Sequence, residues 1–536
     1  MKKVNVFKFF AESIAIAAFV AVIVSCALFT GGESLEEASE IEVPEVTDCD
    51  WLFMIYLDGD NNLNDYLFLN LLQCEYGLYL HDRNSPDVKL KILVLWDGLF
   101  PTDDKTASIS HYHPGSALYE LGYRTSAPDS TTDSISNETK NLTFFARNWI
   151  KYDDKEKTLE ADMGDPDTLR SFLSFASKAY NAKKSVLLIS NHGAGPYSAT
   201  ASASSSSRLV CVDSHNPNAS SAVGYDALDT NKISPAILSG WGRSLDCLMF
   251  DACLCGSVES LYEFKDCTEY MVASPNNIPG YGYPYSAFIG GNFSSGQEEE
   301  ALCIGTVCCY ADFYSSCITG TSSFDQKTSS SPTLSAYRAS SSKLEELKKA
   351  MDAFALDIED DATLIAEGKG MADLISGYLY PKNEAGSSLM IALEDTKLED
   401  VECLWYQGTF NSLVDIGFLA DKYHDDESNQ GKSVASDAEK LQDILEEVVL
   451  YSWRGDSLDT SSSVTEGTTG LVTNKGLYPL LNSSGRNYYG LTVCSGTLSE
   501  NAQKPVRNIG FSSDDYRRSS SFGASSEWGN LLEVLF

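Results

Sequence analysis

The run KKSVLLISNHGAG, Lys183 to Gly195, decides how the chain is read. Val186 to Ile189 is a continuous apolar stretch of the kind found in a strand buried on both faces. It stops at Asn191 and His192, and Gly193 and Gly195 then let backbone come close to a ligand. Just before it lies MGDPDTLRSFLSFASKAY, Met163 to Tyr180. Asp165 is a good helix N-cap and Pro166 suits the first helical position. Leu169, Phe172, Leu173, Ala176 and Tyr180 fall on one face of the expected helix.

The same alternation recurs on both sides. WLFMIYLDGDNNL from Trp51 and VKLKILVLWDG from Val88 are buried-strand patterns that end in polar turns. SLDCLMFDACLCGSVESLYEF, Ser244 to Phe264, reads as strand, turn and helix, and EYMVAS adds a strand ending at Ser274. RLVCVD, from Arg208, suits a short strand, and residues 102–140 form a long polar excursion with room for a hairpin. Strands alternating with helices predict an α/β fold with a mostly parallel sheet covered by helices on both faces. Active groups gather at the carboxyl ends of such strands. His192 and Cys253 each lie just past one.

The 536 residues and a net charge of −37 narrow the function. A surface this acidic repels nucleic acid, and no basic cluster offers a phosphate-binding patch. The amino terminus carries Lys2, Lys3 and Lys8, then the apolar run Ile14 to Val24, then IVSC ending at Cys26. The apolar run is short for a bilayer span and suits a signal peptide. A branched apolar residue, a small residue and Cys resemble a bacterial lipobox, which implies lipidation of Cys26 and anchoring in the cell envelope. An ordinary signal peptide or an uncleaved anchor are the alternatives. Of fourteen cysteines, removal of Cys26 leaves an odd number, as one free functional thiol in an exported protein would. No zinc-type cysteine spacing occurs.

The expected organisation is a signal peptide (1–25), an acidic tether (26–50), a large α/β domain (51–329) and a mixed helical and β region (330–536). Within the last of these regions, SSKLEELKKAMDAFALDIED from Ser341 is an amphipathic helix.

Cys247, in mid-strand, reads as a packing residue. Cys253 sits at a strand-to-helix turn, where a helix N-terminus and a protonated His would lower its pKa. A thiol beside an imidazole is a nucleophile and base, and the N–H groups of Gly193 and Cys253 are available to an oxyanion. Cys255 is expected to point elsewhere or be covered by the helix. No third residue orienting His192 is visible.

Four motifs in order, YLDGDNNL (56–63), MGDPDTL leading to SNHGAG, FDACLCGSVE (250–259) and VASPNNIPGYGYPY (272–285), resemble the clostripain family of cysteine peptidases, relatives of caspases and gingipains. The resemblance runs from about Trp51 to Tyr285, with weaker echoes beyond. It implies a caspase-like fold and a dyad of Cys253 and His192. It also implies that Asp251 lines a specificity pocket taking Arg or Lys; a backbone-capping role at the turn is the alternative. Ser274 and Asn276 are carried over as substrate-binding positions, although Asn276 and Asn277 stand where the family often has acidic residues, which weakens the basic preference. Relatives often cut themselves after the catalytic His; here Arg208, ending ATASASSSSR, is the candidate site. The chemistry requires no cofactor. Calcium is compatible, since some relatives need it, but no ligand spacing marks a metal site. The expected partners are a peptide or protein substrate with basic residues and, through the lipid, a membrane. Two rival functions are an inactive surface-binding lipoprotein on the same fold and an acyl-transfer hydrolase acting on a non-peptide substrate.

Overall fold

The computed structural model describes residues 44–99, 114–128, 133–153, 158–195, 209–213, 226–294, 296–318, 332–359, 406–408, 411–425, 427–454, 489–494, 516–517 and 520–535. Cys26, the expected signal peptide, most of the tether and Arg208 lie outside them.

The strands in chain order are β1 (Thr47–Gly59), β2 (Leu90–Gly98), β3 (Ala117–Glu120), β4 (Lys140–Asn141), β5 (Lys151–Asp153), β6 (Thr158–Glu160), β7 (Tyr180–Ser190), β8 (Leu209–Asp213), β9 (Asp226–Asp229), β10 (Leu245–Asp251), β11 (Thr268–Ala273), β12 (Thr333–Arg338), β13 (Tyr406–Gly408), β14 (Asn411–Asp415), β15 (Val449–Arg454) and β16 (Thr492–Cys494). Nine of them form one sheet in the order β15-β12-β11-β10-β7-β1-β2-β3-β4. The five central strands, from β11 to β2, are parallel. Antiparallel strands close both margins.

Alternation along β1 explains the two layers. Trp51, Phe53, Ile55 and Leu57 face one side, where helices α1 (Asn64–Asn84), α5 (Tyr285–Asn292) and α6 (Glu299–Ile318) supply Leu71, Phe288 and Tyr310. Tyr56 faces the other, packing 6.2 Å from Phe172 of helix α2 (Pro166–Ala179). Helix α3 (Thr230–Gly240) lies so close to α2 that a Cβ on Gly240 would stand 2.5 Å from the Arg170 carbonyl. Phe250 stacks on Phe264 of helix α4 (Val258–Phe264) on that same side. Every side chain from Trp51 to Leu57 is at most 3% exposed, and full burial of each large apolar one contributes about 1.5–3 kcal/mol. A strand apolar on both faces can only be central, which is where β1 sits. The α2 cap is as expected: Asp165 accepts the Asp167 N–H at 2.8 Å, with Pro166 in the first turn.

Two boundaries differ from the sequence reading. β1 begins at Thr47 and pairs there with Tyr180, inside the expected tether. The region after 330 is not a separate domain: β12 and β15 extend the main sheet beside β11, Thr492 donates its N–H to the Gly256 carbonyl at 3.2 Å, and residues 43–536 form one compact unit. These strands are short, and their partners are 60 to over 200 positions away, so local pattern could not join them to the sheet. The polar excursion does hold a hairpin-like pair, β3 and β4, at the sheet margin.

Candidate active site

β1 leads to β2 on one side, and the later strands β7 and β10 lie on the other. The reversal between β1 and β7 makes a crevice at their carboxyl ends. Three chain segments meet there: Asp58–Asn62 after β1, Asn191–Gly195 after β7, and Asp251–Cys255 after β10.

The His192 loop is held from both flanks. Asn191 donates its side-chain amide to the Asp58 carbonyl at 2.6 Å and accepts the Val212 N–H at 3.2 Å. Its backbone N–H reaches the Asp251 carbonyl at 3.3 Å. Gly193 lies directly against the Cys253 turn: a Cβ there would stand 2.3 Å from the Cys253 carbonyl and 3.0 Å from its nitrogen. Glycine is required for this contact. Ala194 donates to the Leu209 carbonyl at 3.0 Å, and Gly193 faces Val210 in a bridge. Among the described residues, neither the Gly193 nor the Cys253 N–H donates to a backbone carbonyl outside the regular helices and strands.

His192 has the partner that the sequence did not reveal. Its Nε2 lies 2.7 Å from Oδ1 of Asn62, on the turn between β1 and α1. An amide oxygen only accepts, so this bond puts the proton on Nε2 and leaves Nδ1 as the basic nitrogen. Burial holds the imidazole pKa below its ordinary value.

Cys253 is half-buried, and its Sγ accepts the Ile278 N–H at 3.3 Å. Burial pushes the thiol up, opposed by that hydrogen bond. The expected helix N-terminus is not at this residue. Leu254 takes a left-handed backbone, φ 61°, and α4 starts at Val258 with Ser257 as its N-cap. The positive φ turns the chain out of helical geometry, so no helix dipole reaches the thiol directly. Cys255 is buried, bonded to the Cys253 carbonyl and pushed up by burial, which makes it a packing residue. Cys247 is fully buried, as expected, with its sulfur 3.1 Å from that of Cys303.

Asp251 ends β10 and is 5% exposed. Its Oδ2 accepts the Tyr283 N–H at 3.1 Å and the Tyr285 hydroxyl at 2.8 Å. Burial pushes its pKa up to about 6 against these two bonds. Gly282, at φ 71°, stands where a Cβ would meet Oδ2 at 2.3 Å. The carboxylate thus organises the Gly-Tyr-Pro-Tyr turn as well as standing two residues from the thiol.

Ser274 differs from its expected part in contacting substrate. It is fully buried, and its hydroxyl bonds the Asn276 carbonyl and Thr333 Oγ1 at 2.8 and 2.7 Å. Asn276 is buried too, and its carbonyl takes the Leu254 N–H at 3.0 Å. Both residues brace the Cys253 turn from behind, because the antiparallel strand β12 covers this margin of the crevice.

The sequence model of the clostripain family matches residues 55–533. Clostripain of Hathewaya histolytica is 26% identical over 259 residues, 47% of this chain and 44% of its own length. The alignment therefore spans less than half of that relative. Among solved structures, a secreted C11 cysteine protease of Bacteroides thetaiotaomicron bound to an irreversible peptide inhibitor superposes with a TM-score of 0.52 at 15% identity, covering 90% of this chain and 99% of that one. An inactive zymogen C11 protease of Parabacteroides distasonis gives 0.49 at 16% identity, covering 90% and 98%.

Proposed function

Because the chain belongs to the clostripain family of cysteine peptidases, we propose that it is a cysteine endopeptidase with Cys253 as nucleophile and His192 as general base and acid. The observation that carries this is the backbone contact of Gly193 on Cys253, which brings the two loops together at neighbouring strand ends. His192 Nδ1 takes the thiol proton as Sγ attacks the scissile carbonyl carbon. The oxyanion accepts from the Gly193 and Cys253 N–H groups. Collapse breaks the C–N bond, and the imidazolium gives its proton to the leaving amine. Water then attacks the thioester, losing a proton to His192, and the acid and the thiol are released. No step calls for a cofactor.

Preference for Arg or Lys rests on Asp251. A buried carboxylate with a pKa of about 6 is ionised at neutral pH, and a guanidinium or ammonium would offset its desolvation. The acidic surface steers basic substrates over longer range. Export and lipid anchoring rest on the residues before Cys26. Among the described residues no helix is long and apolar enough to cross a membrane.

Fluorogenic peptides ending in Arg, Lys, Asp, Asn or Leu, assayed under reducing conditions beside Cys253→Ala and His192→Ala, test the reading. Cleavage after Arg or Lys that both variants abolish is expected. Silence on every peptide, with an intact fold and no labelling of Cys253 by an acyloxymethyl ketone, would leave the surface-binding lipoprotein.

A further inference from the structure

Two thiols that the peptidase chemistry does not use meet in the core beneath the crevice. Cys247 lies in β10 and Cys303 early in α6, and their sulfurs stand 3.1 Å apart. Both side chains are fully buried. Carbon atoms in packing contact stand about 3.5–4.0 Å apart. Sulfur is the larger atom, so this pair is closer than packing alone brings it. A disulfide needs the sulfurs only about 1 Å nearer.

The surroundings are apolar. Cys247 and Met249 share one face of β10, with Asp251 two residues further along the same face. Cys303, Val307, Tyr310 and Tyr314 fall on one stripe of α6 and join the same core. A structural zinc site takes more ligands than two sulfurs offer, whereas two adjoining thiols suffice for a disulfide. At the other end of α6, Tyr314 donates its hydroxyl to the Gly282 carbonyl at 2.9 Å, and Tyr310 packs 5.9 Å from Tyr283. Helix α6 thus supports the turn whose Tyr283 N–H and Tyr285 hydroxyl hold Asp251.

We propose that Cys247 and Cys303 close to a disulfide when the chain folds under oxidising conditions, and that this bridge pins α6 to the strand carrying Asp251 and leading to Cys253. The oxidant is the disulfide of a thiol oxidoreductase or of oxidised glutathione. One cysteine thiolate attacks it and expels one of its sulfurs as a thiolate. The second cysteine, having lost its proton, attacks the protein sulfur of the mixed disulfide and expels the rest of the oxidant. Two cysteine thiols are oxidised, the two oxidant sulfurs are reduced to thiols, and one S–S bond replaces two S–H bonds. Burial pushes the Cys247 thiol well above its ordinary range, so the exchange belongs to folding, before the core closes. The finished bridge is then shielded from reductants. It closes a loop of 56 positions that contains Asp251, Cys253 and the turn from Asn276 to Tyr285, and long loops gain most from closure. The bridge stands without the peptidase reading. Export, as proposed above, supplies oxidising conditions; the test sets them directly, so failure of the bridge and failure of export are distinguishable.

The test makes the full chain carrying Cys253→Ala, which keeps the nucleophile out of the exchange, by cell-free synthesis. One batch folds with oxidised glutathione and a disulfide isomerase, the other with dithiothreitol. Each is alkylated with iodoacetamide in denaturant, digested and mapped by mass spectrometry. In the oxidised batch the Cys247 and Cys303 peptides should be joined in most chains, lighter by two hydrogens than the separate thiol peptides. Separate alkylation of both, or joining of either to another cysteine, would overturn the bridge. The oxidised batch should unfold at a Tm at least about 3 °C above the reduced one, and that gap should vanish in the Cys247→Ala/Cys303→Ala variant. An equal gap in the variant would assign the stabilisation to another bond and overturn the proposal. Hydrogen exchange in residues 279–285 should be slower in the oxidised batch; equal exchange would overturn the bracing of the turn. Should the double variant fail to fold, peptide mapping of the parent chain still decides.

Discussion

His192 Nε2 and Asn62 Oδ1 stand 2.7 Å apart although 130 positions separate them in the chain. The bond makes Asn62 the positioning residue for the imidazole: it puts the proton on Nε2 and leaves Nδ1 as the basic nitrogen. Replacing Asn62 with Ala should lower kcat on the order of 10–100-fold with little change in KM, since orientation of a base matters most in the transition state. Asn62→Asp should instead raise the imidazole pKa and move the acid limb of kcat/KM upward. An unchanged kcat and pH profile in both variants would remove Asn62 from the mechanism.

The resting dyad should be neutral. Burial raises the Cys253 pKa and lowers that of His192, whereas a thiolate–imidazolium pair needs the opposite order. The rate of iodoacetamide inactivation without substrate should therefore climb continuously with pH through neutrality. A plateau already reached at about pH 5–6, as ion-paired thiolates give, would contradict this.

Asp251 should impose a pH dependence on basic substrates alone. Its pKa is raised to about 6, so the carboxylate is lost as pH falls through 6 and pairing with Arg or Lys goes with it. KM for an Arg peptide should rise below pH 6, while a peptide with an uncharged residue at that position lacks this limb. Comparing KM for the two peptides from pH 5 to 8 separates it from the His192 limb, which both share.

Gly193→Ala should abolish activity while the protein still folds. The added Cβ would meet the Cys253 carbonyl at 2.3 Å, so the two loops must part. Loss of oxyanion and dyad geometry together is worth at least about 100-fold in kcat. Far-UV circular dichroism should match the parent chain. Full activity in this variant would mean that the close approach of the loops is not needed.

Much of the arrangement was legible in the residues. The unbroken apolar runs at Leu52–Leu57 and Val186–Ile189 demand burial on both faces, and the cap at Asp165 and Pro166 starts its helix by local bonding alone. Side-chain chemistry singled out His192 and Cys253, because each sits where an apolar run gives way to small residues. These features are set within a few positions of sequence, by periodicity and by backbone preference, so the sequence by itself determined them.

Tertiary structure decided what depends on distant segments meeting. Asn62 became a histidine partner, and Ser274 a buried brace, only through neighbours far along the chain. β12 and β15 joined the sheet because a free margin beside β11 was there to be paired. The buried carboxylates Asp60, Asp97, Glu160 and Asp213 come from four strand ends, with no spacing that announces them, and only the convergence of those ends brings their oxygens within 4.8 Å of one another. The turn at Leu254 likewise moved the helix start away from Cys253. Local sequence sets which backbone each segment prefers; the thiol's environment, the aim of the imidazole and the charge of the crevice are fixed by packing across the sheet.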